Sequence, residues 1–258
     1  RTMKKISILF TLCLLISSAF AQDLSKYEKQ SFVMGTDTLK YRILYPENFD
    51  ANKQYPVILF LHGRGESGND NQKQLANGGK LFLSDNYRKN HPSIVIFPQC
   101  AEDSYWANVE IETVSNKRFF NFVKGGEPTK SMNLVLKFTD EFFKKPFVDQ
   151  SQIYVGGLSM GGMGTFEILR RKPKTFAAAF SICGGESVGT SIAVERATFG
   201  RSVDPEFAAY IAALSGHVSD AGSIRHGSAH RPDGGCQISY QISGRLVAGV
   251  TGVSTFSI

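Results

Sequence analysis

One stretch constrains this chain more than any other. Gln152-Ile153-Tyr154-Val155-Gly156 leads into Gly157-Leu158-Ser159-Met160-Gly161, and Gly162 to Lys172 follows before Pro173. The first five residues have the β-branched and aromatic content of a strand, and the last eleven read as a helix that the proline stops. Between them stands the pattern G-x-S-x-G. A strand that passes directly into a helix must turn sharply, and the turn forces its central residue into a strained conformation. Strand and helix can pass that closely only where the neighbours are glycine-sized, which accounts for Gly157, Gly161, Gly162 and Gly164. Alone the pattern is weak, because glycine and serine are abundant here; the strand before it and the helix after it give it weight. Ser159 is therefore expected to hold its hydroxyl above the sheet edge as a nucleophile.

A second feature matches the first. Val57-Ile58-Leu59-Phe60-Leu61 is a continuous apolar run, as expected of a strand buried on both faces of a parallel sheet. It ends in His62-Gly63-Arg64-Gly65-Glu66-Ser67-Gly68, a glycine-rich loop at the carboxyl end of a central strand, where α/β folds place ligand chemistry. If Ser159 attacks a carbonyl, negative charge develops on its oxygen, and two fixed N–H donors aimed there lower the barrier by several kcal/mol. The backbone N–H groups of Met160 and Arg64 are assigned that role. His62 precedes this loop and is expected to hold its shape rather than act as a base. The bland alternative is a tight turn with a structural histidine.

The remaining elements build a sheet around these two loops. Ser31 to Met34 and Thr38 to Tyr45 read as an antiparallel entry hairpin over Gly35-Thr36-Asp37, Asn69 to Leu83 as a helix, and Ser93 to Pro98 as the next buried strand. Gln99 falls at that strand's carboxyl end and is assigned to substrate binding. Ala101 to Lys130 lacks clean periodicity and reads as a loop over the site. It carries the sole tryptophan, Trp106, also assigned to substrate binding, with packing of the loop against the core as the open alternative. Met132 to Phe147 has one apolar helical face, and Phe176 to Ile182 reads as another strand. This β-α-β-α-β order predicts one domain, a three-layer α/β sandwich with a mostly parallel central sheet.

Charge and cysteine content exclude other classes. The chain has 258 residues and a formal charge of +6, but Arg1, Lys4 and Lys5 lie in a leader-like segment, and without them the charge is +3. The rest has no basic run interleaved with aromatics, so no nucleic-acid partner is expected. In that segment Met3 starts a positive n-region, Ile6 to Leu15 form an apolar run, and Ala19-Phe20-Ala21 is a small-residue cleavage site. Residues 1–21 are thus expected to be a signal peptide, with Arg1-Thr2 upstream of the start and the mature chain exported from Gln22 without a membrane anchor. The apolar run is short of the roughly 20 residues that span a bilayer. Cys100, Cys183 and Cys236 then remain, with no metal-ligand spacing, so at most one disulfide, no metal and no cofactor are expected.

At this point the residues carry a family likeness. His62-Gly63-Arg64-Gly65-Glu66, Phe97-Pro98-Gln99-Cys100 and Ile153 to Gly162 resemble the α/β-hydrolase superfamily, and within it the secreted bacterial carboxylesterases, dienelactone-hydrolase-like and feruloyl-esterase-like groups. The likeness covers roughly residues 31–185. It implies a Ser159 nucleophile, an oxyanion hole from the two loops, an Asp and a His supplied later in the chain, and a small-molecule or polysaccharide-linked ester as substrate. Hydrolysis of carboxylic esters through an acyl-enzyme is the expected function. A peptidase of the same fold is one alternative. A binding module without a working acid and base is another, since a serine hydroxyl with no base is a poor nucleophile at neutral pH.

The last alternative has its own motivation. Residues 22–185 read as the hydrolase core, but lysine disappears after Lys174 and the stretch from Ser187 turns rich in Ser, Gly and Ala. Asp204, Asp220 and Asp233 could serve as acids, and His217, His226 and His230 as bases, yet none follows a recognisable strand. The triad acid and base stay unassigned. Residues 186–258 are an atypical tail, expected to be a frame-shifted continuation. The competing reading is a divergent tail with a short helix over Phe207 to Leu214 and strands within Gln237 to Val253. The nucleotide sequence decides: one of the other two frames downstream of the Cys183 codon is expected to encode a buried strand, a loop Asp and a late Gly-His. Early stop codons in both frames would overturn this.

Overall fold

The computed structural model describes residues 24–115, 117–123, 125–182, 184, 235–242 and 255–257. The leader-like segment, Cys183 and all the candidate acids and bases of the tail lie outside them.

The entry hairpin forms from β1 (Glu28–Met34) and β2 (Asp37–Leu44), turning at Gly35 with φ +60. Next come β3 (Tyr55–Leu61) and β4 (Ile94–Pro98), which pair in parallel. β7 (Val148–Leu158) lies along the other side of β3, and β8 (Ala178–Ile182) follows it, both parallel. β2 joins β4 antiparallel. Both sides of β3 are covered, as its apolar run requires: Val57, Leu59 and Leu61 enter one core cluster, and Ile58 and Phe60 the other. The first cluster holds α2 (Lys130–Phe142) and α3 (Met160–Arg171) against the sheet. The second packs Tyr27, Leu75, Phe82 and Tyr87 on the opposite face. The result is the expected three-layer sandwich with a mostly parallel sheet. No helix among the described residues is long and apolar enough to cross a membrane.

Two local expectations are corrected and further elements are added. Residues 69–83 do not form one helix but two short 3-10 turns, Lys73–Leu75 and Leu81–Leu83. Asn71 has φ 53 and Gly78 φ +94, conformations no α-helix contains, and Asp70 Oδ1 accepts from the N–H groups of Gln72 and Lys73 to make a turn instead. A short helix unforeseen in the sequence, α1 (Asp85–Asn90), begins where the Ser84 side chain accepts from Tyr87 N. The segment read as a loop over 101–130 contains an antiparallel hairpin, β5 (Val109–Val114) with β6 (Lys117–Phe122). Its periodicity was masked because neither face is deeply buried, with Ile111, Val114 and Phe119 exposed. In the stretch where the competing reading placed strands, β9 (Gly235–Ile242) pairs with β8 antiparallel, from Ala178 opposite Ile242 to Ile182 opposite Ile238. β10 (Thr255–Ser257) completes an eight-stranded sheet.

Ile58, fully buried at the centre of this sheet, sets a scale for the core. Ile58→Ala is expected to lower unfolding free energy by about 2–5 kcal/mol in denaturant titration, through lost burial and the cavity left behind.

Candidate active site

β7 ends at Leu158 and α3 begins at Met160, so Ser159 alone makes the turn. Its backbone sits at φ 53 and ψ −112, a conformation that costs a non-glycine residue about 1–3 kcal/mol. Two hydrogen bonds hold it there: Ser159 N donates to Ile182 O at 2.7 Å, and Met163 N donates to Ser159 O at 3.0 Å. The serine is exposed and its side chain caps nothing in the helix. Its hydroxyl is held clear of the helix that follows.

The glycines are dictated by approach distance. A Cβ on Gly161 would fall 1.9 Å from Leu61 O, and one on Gly157 would fall 2.3 Å from Gly161 O and 2.7 Å from Leu61 O. The helix start is thus pressed directly onto the end of β3, where the loop His62 to Gly68 begins. A Cβ on Gly63 would lie 3.5 Å from Leu158 O and 3.8 Å from Ser159 Cβ. The structure therefore brings Gly63-Arg64 and Ser159-Met160 side by side. Met160 is the first residue of α3, so its N–H has no acceptor within the helix.

The loop is fixed by residues that do no chemistry. His62 is fully buried; its Nε2 accepts from Cys100 N at 2.9 Å, which leaves the proton on Nδ1 to bond Gly63 O at 2.6 Å. Burial, ahead of a smaller effect of Arg64, pushes the imidazole down to about 4 against the favourable bond to Gly63, so it is neutral at pH 7. With both nitrogens engaged, His62 shapes the loop. Arg64 sends its guanidinium away from Ser159, donating to Glu102 O at 2.7 Å and Ser104 O at 2.9 Å beside the Tyr105 ring. Only its backbone is left to face the nucleophile. Burial likewise raises the Cys100 thiol to about 11, making it an inert free thiol.

Both substrate-binding assignments are corrected. Trp106 is 0% exposed; its Nε1 donates to His62 O at 3.1 Å, and its Cβ lies where a Cβ on Gly164 would fall, 2.5 Å away. It packs the loop 101–108 onto α3, with its ring and its N–H both used inside the protein. Gln99 is buried with its amide committed: Oε1 accepts from Asn71 N at 2.7 Å, and Nε2 donates to Asp70 Oδ1 at 2.8 Å and Glu66 O at 3.3 Å. It borders a cavity of about 490 Å³ whose lining does not include Ser159. The sequence places both residues at strand ends and loops, but it cannot show that their polar atoms are already used.

One residue of the site escaped the sequence reading. Glu66 closes the 3-10 turn Arg64–Glu66, its Oε1 accepts from Asn77 Nδ2 at 2.8 Å, and its Oε2 comes within 2.9 Å of the same Gly63 Cβ point that faces Ser159. Its place in the motif, three residues after Gly63, does not reveal that the side chain folds back. Among the described residues no histidine is a base for Ser159: His62 is committed, and His91 closes α1 against the Tyr87 ring. No cluster of metal ligands occurs among the described residues either.

This sheet, with its serine elbow and facing loop, has the α/β-hydrolase fold. Its likenesses lie among esterases and prolyl-oligopeptidase relatives. The model of the prolyl oligopeptidase family matches residues 105–201. A thermostable esterase of known structure is 29% identical, with TM-score 0.57 over 67% of this chain and 44% of that one. A probable feruloyl esterase C of Aspergillus terreus is 25% identical over 180 residues, 68% of this chain and 58% of that protein. A probable dipeptidyl-peptidase 5 of the same species is 25% identical over 120 residues, 46% of this chain and 15% of that protein. The chain thus spans less than two thirds of each of these relatives.

The neutral, buried His62 gives a pH dependence with a definite sign. The unfolded chain takes up a proton at this residue near pH 6.5, whereas the folded one refuses it until about pH 4. His62 therefore destabilises the fold as pH falls through that window, by at most on the order of 3 kcal/mol. His62→Gln, which keeps an acceptor for Cys100 N, is expected to flatten this part of the stability profile in denaturant titrations between pH 7 and 4. An unchanged slope would show that His62 is not the group responsible.

Proposed function

We propose that this protein hydrolyses carboxylic esters, with Ser159 as nucleophile. The observation that carries the reading is the exposed serine at φ 53 with Gly63-Arg64 beside it and the free helix start at Met160 behind it. In the reaction, the Ser159 oxygen attacks the ester carbonyl while a base takes its proton. The carbonyl oxygen becomes negative and is met by the N–H groups of Arg64 and Met160. Collapse of this intermediate expels the alcohol, which gains the proton, and leaves an acyl-enzyme. Water then attacks the acyl carbon, and the carboxylic acid and free Ser159 are restored. No cofactor is required. The base and its carboxylate partner come from outside the described residues, with His217, His226 and His230 as candidates. We further propose that the chain is exported after removal of residues 1–21.

The likeness to the thermostable esterase favours ester substrates. The match to the prolyl oligopeptidase family favours a second reading, a peptidase using the same serine. Two measurements separate them. A fluorophosphonate probe is expected to label the chain, with labelling abolished in Ser159→Ala; equal labelling of that variant would overturn the nucleophile assignment. Butyryl p-nitrophenyl ester is expected to be hydrolysed at least about a hundredfold faster in kcat/KM than the matching p-nitroanilide, relative to their spontaneous rates. The reverse order would make it a peptidase. Binding of the ester without turnover would make it a hydrolase-like binding module.

A further inference from the structure

Glu66 is the charged side chain that the proposed reaction leaves unexplained. Its backbone belongs to the hole loop: Glu66 N donates to Gly63 O at 3.3 Å, and Glu66 O accepts from Gln99 Nε2 at 3.3 Å. Its carboxylate is half-buried and divided in use. Oε1 is spent on Asn77, whereas Oε2 has no donor among the described residues and lies against the flank of Gly63 that faces Leu158 O and Ser159 Cβ. The Arg64 guanidinium, two residues away, donates to Glu102 O and Ser104 O, and no ion pair to Glu66 occurs among the described residues.

This placement has a cost for the chemistry. A carboxylate beside the nucleophile opposes the negative charge that grows on the carbonyl oxygen. A turn built only to hold Arg64 could have used an amide, which also accepts from Asn77. The charge is balanced, and the spare acceptor satisfied, when the substrate itself brings a positive donor to Oε2. We propose that Glu66 sets substrate specificity by receiving a protonated amine, so that the site selects carboxylic esters carrying an ammonium group close to the scissile bond. The inference rests on the ester-hydrolase reading and deepens it. Glu66 touches the substrate's ammonium and takes no part in bond making or breaking.

The test compares acyl groups of different charge on the full chain: β-alanyl and butyryl p-nitrophenyl esters, equal in size, and the slightly larger hemisuccinyl ester. The expected order of kcat/KM is β-alanyl, then butyryl, then hemisuccinyl. Glu66→Gln, which preserves an acceptor for Asn77, is expected to reduce the β-alanyl to butyryl ratio about tenfold, the worth of one charge-assisted hydrogen bond. Most of the change should appear in KM. In the unmutated chain the same ratio should shrink as salt is raised from about 0.05 M to about 1 M, a charge readout that needs no variant. Ligand-observed NMR with Ser159→Ala adds a readout free of turnover: β-alanine p-nitroanilide should bind more tightly than butyric p-nitroanilide, and Glu66→Gln should remove the difference. A ratio indifferent to both Glu66→Gln and salt, or equal binding of the two anilides, overturns the proposal. Absence of Ser159-dependent turnover with the binding difference intact would instead overturn ester hydrolysis and leave the ammonium site standing.

Discussion

The contact between Gly161 and the Leu61 carbonyl governs this structure. There the first turn of α3 presses on the end of β3 at a separation that admits no side chain. Everything functional follows from that contact. It sets the angle at which β7 hands the chain to α3, which places Ser159 at positive φ. It also fixes the hole loop, which starts at His62, against the elbow. Had either partner been bulkier, strand and helix would separate and the donors would no longer face the nucleophile.

Around this contact lies a polar scaffold, buried at His62, Gln99 and Asn71. His62 links Cys100 N to Gly63 O, and Gln99 ties Asn71, Asp70 and Glu66 together. Burial works against ionisation of Asp70, yet the N–H groups of Lys73 and Gln72 and the Gln99 amide bring its carboxyl down to about 2. Buried hydrogen bonds of this kind are costly to leave half-made, so each member holds the others in one arrangement. The loop from 62 to 71 is thereby set by the end of β4 as firmly as by β3. Farther out, Glu167 accepts from Arg170 and Arg171, and Arg171 reaches Gly126 O at the root of the exposed hairpin. The serine helix and the 101–127 excursion are joined through that pair.

Backbone strain and a spare acceptor are divided between two neighbouring turns. Ser159 carries its strain in the backbone, where the hydrogen bonds to Ile182 and Met163 offset it. Glu66 keeps one carboxylate oxygen, Oε2, without a donor among the described residues. The elbow carries the Ser159 hydroxyl, and the loop carries the Arg64 backbone and the Glu66 carboxylate beside it.

The sequence by itself determined the layered α/β architecture, the parallel pairing around Val57 to Leu61 and the position of Ser159. These are written in local terms: a five-residue apolar run is buried on both faces wherever it lies, and glycines flanking a serine between strand and helix leave few other conformations. The failures are equally local in origin. Asn69 to Leu83 has helix-like spacing, but Asn71 and Gly78 take backbone angles that spacing does not reveal. The pairing of β8 with a strand more than fifty residues later depends on a contact with no short-range signature. Tertiary structure alone decided what the polar side chains do. Trp106 and Gln99 look available in the sequence and are consumed by partners from distant segments, whereas Glu66 looks like an ordinary loop residue and is turned toward the nucleophile. Hydrogen-bond satisfaction is a property of the packed chain, so a residue's type and spacing show which bonds it can make, and only the fold shows which are already made.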